Sequence, residues 1–341
     1  MYKTKEKIAV GVVGCGYWGP NLIRNFLNNK TCQQVIACDL DKSKLDRIQG
    51  RYPSLKVTSH YEDLMDSNEV DAVAIATPVN THFNLTRDAL KAGKHVFVEK
   101  PFTASTAEAL ELIQLAEKEG LTLMVGHTFE YSPPVVKIGE LISQGALGEI
   151  YFISSSRVNL GLHRKDVSVI WDLASHDFAI LFYWLKAAPL RISALGKDYV
   201  QRGIPDVAFI NMEFPSGCVA HVEVSWLAPS KLRRTAVIGS EKMLVYDDTE
   251  VMEKVKIYDK GVDYKEPYSF GEFQLSYRAG DIVSPKLDSY EPLGVEVAHF
   301  FDCIRNGKKP RTDGYSGLRV VQALEATQKS LENNGHVERI E

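Results

Sequence analysis

The stretch "GVVGCGYWGP", residues 11–20, decides the fold. It ends the apolar run "EKIAVGVVG", the composition of a parallel strand covered on both faces. Gly14, Gly16 and Gly19 stand in the pattern G-x-G-x-x-G, and a helical periodicity follows as far as Leu27. A lone glycine pattern is weak. Here a strand precedes it, a helix follows, and a second strand, "QQVIACD", ends at Asp39, 20 residues beyond Gly19. The bland alternative is a glycine-rich turn with a surface aspartate. The four features together predict a dinucleotide-binding turn. Gly14 permits the tight turn, Gly16 lets the backbone approach a pyrophosphate, and Gly19 lets the helix pack closely on the strand. The helix N-terminus supplies amide donors and partial positive charge. Asp39 is suited to the adenosine ribose hydroxyls. Tyr17 and Trp18 fill the two unconstrained positions. Their amides can face phosphate while the rings point elsewhere, Trp18 into packing between helix and neighbouring loops, with the Tyr17 ring left open because the loop borders the cofactor cleft.

The alternation continues with strands "VDAVAIATP", "HVFVEKP" and "LTLMVGH" separated by helices "THFNLTRDALKAG" and "STAEALELIQLAEKEG". Gly93 and Gly120 stand where helix C-caps belong. Strands alternating with helices predict an α/β, Rossmann-type, doubly wound parallel sheet over residues 1–126. Ligands bind beyond the C-terminal ends of such strands. Those ends carry Asp39, Thr77-Pro78, Glu99-Lys100-Pro101 and Gly126-His127.

The pattern changes in residues 127–341. Strand candidates "GEIYFISSSRVNLG", "RISALGKDYV", "DVAFINMEF", "GCVAHVEVSW", "LRRTAVIGS" and "EKMLVYDD" accompany few helices, and "PSG" closes a hairpin. This predicts an α+β domain with a large, mostly antiparallel sheet. Its C-terminal helix has the option of packing back on the first domain.

The 341 residues allow two domains with substantial cores. A net charge of −4 gives no general pull toward nucleic acid or anionic membranes. No apolar run is long enough to span a bilayer, and "MYKTKEKIAV" has no signal-peptide core. The five cysteines form no CxxC pair, and a reducing cytoplasm is the simplest home. No Cys/His/Asp cluster has zinc spacing, which favours hydride transfer without a metal.

Three groups are candidates for chemistry. Lys100, after an apolar strand and before a proline, is held at the sheet rim, where its ammonium can polarise an oxygen; the alternative is a lysine snorkelling from a strand end. Asp172 and His176 in "WDLASHDF" share one helix face at i, i+4 in an otherwise apolar helix. His176 is suited to accept a proton near neutral pH, with Asp172 orienting it or binding substrate; a surface Asp–His pair is the bland alternative. Asp177 lies off that face and reads as structural. Third come His127, and Asn80 and His82 in "ATPVNTHF", on the nicotinamide side of the cleft; His82 reads equally well as a surface residue opening the next helix. The segment "SSRVNLGLHRKDVSVIWD" adds Arg157, Asn159, His163, Arg164 and Lys165, where a loop can reach the mouth of the cleft and bind oxyanions, or form a solvated basic turn.

Five blocks, "GVVGCGYWG", "CDLD", "AIATPVNTH", "VFVEKP" and "DLASH", resemble the glucose–fructose oxidoreductase/inositol dehydrogenase (Gfo/Idh/MocA) family over nearly the full length. The resemblance implies NAD as cofactor and a catalytic set of Lys100, Asp172 and His176 beside the nicotinamide. It implies a cis Lys100–Pro101 peptide, and cofactor contacts from Gly14, Gly16, Tyr17, Trp18, Gly19, Asp39, Thr77, Pro78, Asn80, His82, Glu99 and Lys100. "GCGYWGPNLIRNF", "VGHTFEYSP", "RVNLGL" and "WDLASHDF" look like the branch that oxidises UDP-N-acetylglucosaminuronic acid at C3 for surface-polysaccharide sugars. That branch usually has proline where this chain has Ser175. On this resemblance the substrate residues are Lys100, His127, Arg157, Asn159, Arg164, Asp172 and His176. The protein is expected to be a cytoplasmic homodimer or homotetramer joined through the second-domain sheet. A family dehydrogenase of another sugar or a cyclitol, or a non-catalytic NAD-binding regulator, are the alternatives.

Overall fold

The computed structural model describes residues 6–161, 163, 167–264 and 275–340. The apolar run before the glycine turn forms β1 (Ile8–Val13), buried along its whole length. With β2 (Cys32–Cys38), β3 (Lys56–Thr58), β4 (Ala72–Ile75), β5 (His95–Glu99) and β6 (Leu123–Gly126) it makes a six-stranded sheet in the order β3-β2-β1-β4-β5-β6. All its pairs are parallel. The chain leaves β1 toward β2 and β3, then returns to the other side of β1 as β4. The C-terminal ends of β1 and β4 therefore flank the switch point of the sheet, where open α/β sheets bind ligands.

Helices α1 (Gly19–Asn28), α2 (Lys42–Arg51), α3 (Glu62–Met65), α4 (Val79–Lys91) and α5 (Thr106–Glu119) connect these strands. Their ends follow local chemistry. The Asp41 side chain accepts from Ser43 N to cap α2, the Ser105 side chain accepts from Glu108 N to cap α5, and left-handed Gly120 closes α5.

A late helix, α8 in the numbering used here (Pro292–Asn306), completes this core. Its Leu293, Val297, Phe300 and Phe301 are buried with side chains of β1 and α1. The Phe26 ring meets Phe301 at 5.6 Å, and the Phe97 ring meets Phe300 at 5.7 Å. Each such burial contributes about 2 kcal/mol. At the head of α8, Glu291 accepts from Arg24 Nη1 at 2.8 Å and Asn25 Nδ2 at 3.1 Å. The Arg24 hydrogen bond holds the Glu291 carboxyl down at about 2.

The chain forms two compact units, residues 1–132 with 290–322, and residues 133–289 with 323–341. The single boundary read after residue 126 thus becomes three crossings, the last inside α9 (Gly314–Glu332).

The second unit holds β7 (Ile150–Val158), β8 (Arg191–Lys197), β9 (Val207–Glu213), β10 (Val219–Ser225), β11 (Leu232–Gly239), β12 (Met243–Asp247), β13 (Val255–Tyr264), β14 (Leu275–Val283) and β15 (Glu338–Arg339). They form one nine-stranded sheet in the order β14-β13-β12-β11-β7-β10-β9-β8-β15. The "PSG" hairpin joins β9 to β10 as expected. All pairs are antiparallel except β7 with β10, which run parallel. The sequence did not reveal β13 to β15. Most of β14 is exposed, so it carries no inward-facing apolar alternation to read. Two helices of this unit, α6 (Pro133–Ser143) and α7 (Ser175–Leu185), are joined by a 2.9 Å bond from Trp184 Nε1 to the Val135 carbonyl. Among the described residues no helix is long and apolar enough to cross a membrane.

Arg157 departs from expectation. Ile153, Ser155 and Arg157 alternate into the buried side of β7, and Arg157 Nε donates to Asp177 Oδ2 of α7 at 2.6 Å. Ser155 Oγ donates to Asp177 Oδ1 at 2.9 Å. Both partners of the ion pair are almost fully buried. Arg157 is therefore a tie between β7 and α7 rather than an exposed ligand for substrate oxyanions. Removing one member of a buried pair strands the other charge, at about 3–5 kcal/mol. Arg157→Met should lose stability on this order in urea unfolding. Unchanged stability with a raised KM would return Arg157 to the substrate.

Candidate active site

In the first unit the candidate residues gather around the glycine turn. Gly14 has φ +98°, and a Cβ there would stand 2.6 Å from the Ala76 carbonyl oxygen, so β1 and β4 approach here with no room for a side chain. Gly14 N donates to the Cys38 carbonyl at 2.8 Å, which fastens the turn to the end of β2. A Cβ on Gly19 would stand 1.9 Å from the Gly14 carbonyl oxygen, whereas one on Gly16 would meet nothing within 4 Å. Gly16 thus faces open space, as a position admitting a pyrophosphate to the backbone must. Asp39 Oδ2 accepts from Cys15 N at 2.7 Å, and Oδ1 accepts from Asp41 N at 2.9 Å. Each carboxylate oxygen keeps a second lone pair for a ribose hydroxyl. Lys44 Nζ lies 3.5 Å from Asp39. These features fit a bound NAD.

The two aromatics divide, and Trp18 packs as expected. Trp18 packs against the core of β1, α1 and α8, while Tyr17 is 93% exposed. The Cys15 thiol is buried beside Asp39, and burial, with the Asp39 charge, pushes it up to about 12.

At the ends of β4 and β5, Pro78 caps α4, and Pro78 and Asn80 are exposed. Thr77 Oγ1 and Thr81 Oγ1 share a hydrogen bond of 2.6 Å. His82 corrects both of its expected roles, cofactor contact and surface residue. It is 1% exposed, with Nδ1 2.8 Å from the Pro101 carbonyl and Nε2 2.9 Å from the Thr77 carbonyl. Its ring braces the ends of β4 and β5. Burial lowers its imidazole, partly offset by these backbone bonds.

Lys100 is half-buried at the end of β5, and its peptide to Pro101 is cis, as the resemblance implied. Buried groups surround it. Burial pushes the Glu99 carboxyl up to about 8, against the pull of the Lys100 charge and the Trp18 indole. The Glu99 carboxyl lies over Gly126, where a Cβ would stand 3.0 Å from Oε2. His127 is 2% exposed, and neither ring nitrogen has a hydrogen-bond partner among the described residues. Burial, assisted by the Lys100 charge, pulls its imidazole down to about 3, so it is neutral at pH 7. Sequence reading missed Glu296 of α8, which is fully buried and accepts from Thr128 Oγ1 at 2.6 Å. Burial, with the Glu99 charge next, raises its pKa well above the carboxylate range. A lone acid within "PLGVEVAHFF" was the available signal.

The second unit carries the other candidates. The helix predicted through "VIWDLASHDF" opens with a π-helical turn, Ile170–Ala174, before α7 begins at Ser175. Such insertions recur at functional sites because they re-aim side chains. Asp172 sits in the π turn and His176 in the first turn of α7, both half-buried. Trp226 Nε1, which the sequence reading passed over, donates to Asp172 Oδ2 at 3.3 Å. The hydroxyl of Ser175, where the branch usually has proline, donates to the Asp172 carbonyl at 3.2 Å. Asn159 N donates to the Ser225 carbonyl at 3.1 Å, holding the end of β7 beside the end of β10. The His163 ring meets Trp226 edge-on at 5.5 Å. Arg164 and Lys165 lie outside the described residues.

Comparison with known proteins agrees with this architecture. Residues 8–127 match the model of an oxidoreductase family with an NAD-binding Rossmann fold, and residues 135–245 match the GFO/IDH/MocA C-terminal domain. A UDP-N-acetylglucosamine 3-dehydrogenase from Acidithiobacillus ferrooxidans is 29% identical over 256 residues, 75% of this chain and 77% of that protein. A solved structure of the UDP-N-acetylglucosamine 3-dehydrogenase GnnA from that organism covers 96% of this chain and 98% of its own, with TM-score 0.79 and 25% identity. A scyllo-inositol 2-dehydrogenase (NAD+) from Bacillus subtilis is 24% identical over 90% of this chain and 89% of its own length. The chain belongs to the Gfo/Idh/MocA family of NAD-binding oxidoreductases.

Proposed function

We propose that this protein is an NAD-dependent dehydrogenase of a UDP-linked sugar acid, oxidising the C3 hydroxyl of UDP-N-acetylglucosaminuronic acid to the 3-keto sugar. The observation that carries a catalytic reading is the Asp172–His176 pair, set in a π turn and the helix turn after it and tied to a buried indole. The similarity to a UDP-N-acetylglucosamine 3-dehydrogenase supports a nucleotide sugar, and the branch-like blocks support the acid. The similarity to an inositol dehydrogenase keeps a free cyclitol as the second reading.

In this mechanism His176 takes the hydroxyl proton, with Asp172 orienting its ring. Lys100 holds its ammonium toward the oxygen as negative charge develops there. Bound NAD+ supplies the acceptor for the hydride that leaves the same carbon. His127, neutral and with both ring nitrogens unspent among the described residues, is suited to hydrogen-bond the substrate or the carboxamide beside it. Arg157 is committed to Asp177. Recognition of the sugar carboxylate and diphosphate therefore falls to Asn159, Arg164 and the residues near them. Leu195 and Phe209, register partners on β8 and β9, are exposed, as are Phe152 and Val219, register partners on β7 and β10. This sheet face is the one through which a cytoplasmic dimer or tetramer assembles.

NAD+ should be preferred over NADP+, because Asp39 repels a 2′-phosphate and accepts from a free hydroxyl, with Lys44 only partly offsetting it. Equal kcat/KM for the two cofactors refutes this.

Lys100→Ala and His176→Ala should each keep the fold and NAD+ affinity but lose turnover on the order of a hundredfold or more. Stopped-flow absorbance of NADH reads the rate, and a near-normal rate in either variant removes that residue from the mechanism.

Titration with UDP-N-acetylglucosaminuronic acid, its uncharged UDP-sugar parent and free inositol should favour the acid, whose diphosphate and carboxylate carry about three negative charges that arginine can pair bidentately. No advantage for the acid, or oxidation of inositol alone, rules out the sugar-acid reading and leaves the family assignment intact.

A further inference from the structure

Trp226 follows β10 directly, at the point where parallel β7 and β10 end side by side. Its backbone is pinned on two sides. Trp226 N donates to the Asp206 carbonyl at 2.9 Å, and Gly161 N donates to the Trp226 carbonyl at 3.0 Å. The indole is 2% exposed. An indole has one donor and no acceptor, and a buried one needs a partner. That partner is Asp172 Oδ2, 3.3 Å from Nε1.

The ring is also wedged from the other side. A Cβ on Gly161 would stand 2.8 Å from Cδ1 and 3.2 Å from Cγ of Trp226, the inner end of a stiff side chain. The His163 ring presses edge-on against it, with centroids 5.5 Å apart and planes at 61°. The terminal torsion of an aspartate is broad and settles only where its oxygens are held. With Oδ2 held by the indole, Oδ1 is left with a defined direction.

We infer that Trp226 is a positioning residue that holds the Asp172 carboxylate in its working orientation and ties it to the segment after β7 through Gly161 and His163. The inference rests on the catalytic reading of Asp172. It assigns Gly161 a role as well: its missing side chain leaves space for the indole to reach Asp172. Losing such a bond costs roughly a factor of ten in a rate that depends on the carboxylate's orientation.

The test is a double-mutant cycle on the intact protein loaded with NAD+, with UDP-N-acetylglucosaminuronic acid as substrate. Trp226→Phe keeps a packed ring without the N–H, and should lower kcat about tenfold while KM for NAD+ and the melting temperature stay near wild type. Gly161→Ala keeps the N–H but displaces the ring, and should reproduce the kcat loss. In an Asp172→Ala background, Trp226→Phe should cost nothing further, a non-additivity that general loosening does not give. Tryptophan emission reads the contact without any substrate. Asp172→Ala should alter the wild-type spectrum and leave that of Trp226→Phe unaltered.

Additive losses in the cycle, an emission change that persists in Trp226→Phe, or an unchanged rate in Trp226→Phe beside a slowed Asp172→Ala would overturn the inference alone. A normal rate in Asp172→Ala would overturn the catalytic reading, and the inference with it.

Discussion

A Cβ on Gly19 would stand 1.9 Å from the Gly14 carbonyl oxygen, and the first unit depends on that close approach. The contact lets α1 start hard against the turn. With the turn closed, Gly14 reaches the Cys38 carbonyl and Cys15 reaches Asp39, so β1, β2 and the loop become one piece. The same placement of α1 carries Phe26 onto Phe301 and Arg24 onto Glu291, which seats α8. A single steric constraint thus joins the cofactor loop to a helix almost three hundred residues away in the chain.

The sheet was legible because its signals are local. Apolar runs, glycine punctuation and the placement of Asp39 lie within one strand–helix–strand unit, and they predicted it well. Asp172 and His176 were paired on regular i, i+4 helical spacing, and the π turn Ile170–Ala174 that interrupts that spacing left no mark in the local sequence. Residues whose role depends on a distant partner were misread. Arg157 looked like an oxyanion ligand because nothing nearby in sequence announces Asp177 as its buried counter-charge. His82 looked cofactor-facing because the Pro101 carbonyl that claims it lies just beyond the end of the next strand, β5. Trp226 looked like the last residue of an alternating strand, because its link to Asp172 spans two elements. β14 was invisible because it is largely exposed and has no core face to impose a period.

Buried ionisable groups are handled in two ways. In the second unit, the Arg157 guanidinium and the Asp177 carboxyl are paired at 2.6 Å. In the first unit, Glu99 and His127 are neutralised by burial, at about 8 and about 3 respectively. The linkage follows from the signs. Raised Glu99 withdraws stability as the pH climbs from the ordinary carboxylate range to about 8. Depressed His127 withdraws it as the pH falls from the ordinary imidazole range to about 3. Between those two ordinary ranges the effects offset each other, so around Lys100 the fold is most comfortable at mildly acidic pH.

Residues 290–322 belong to the first unit although most of the second unit's chain lies between them and the rest of it. This return has a consequence for synthesis on the ribosome. The hydrophobic face that receives Phe300 and Phe301 is made early, but its cover emerges only after residues 133–289 have been made. Until then the nascent first unit carries an uncovered apolar surface, the condition that recruits chaperones and favours misassembly. The last crossing falls inside α9, so one continuous helix begins in one unit and ends in the other. Both units draw residues from this one helix, so neither is whole until it has been made.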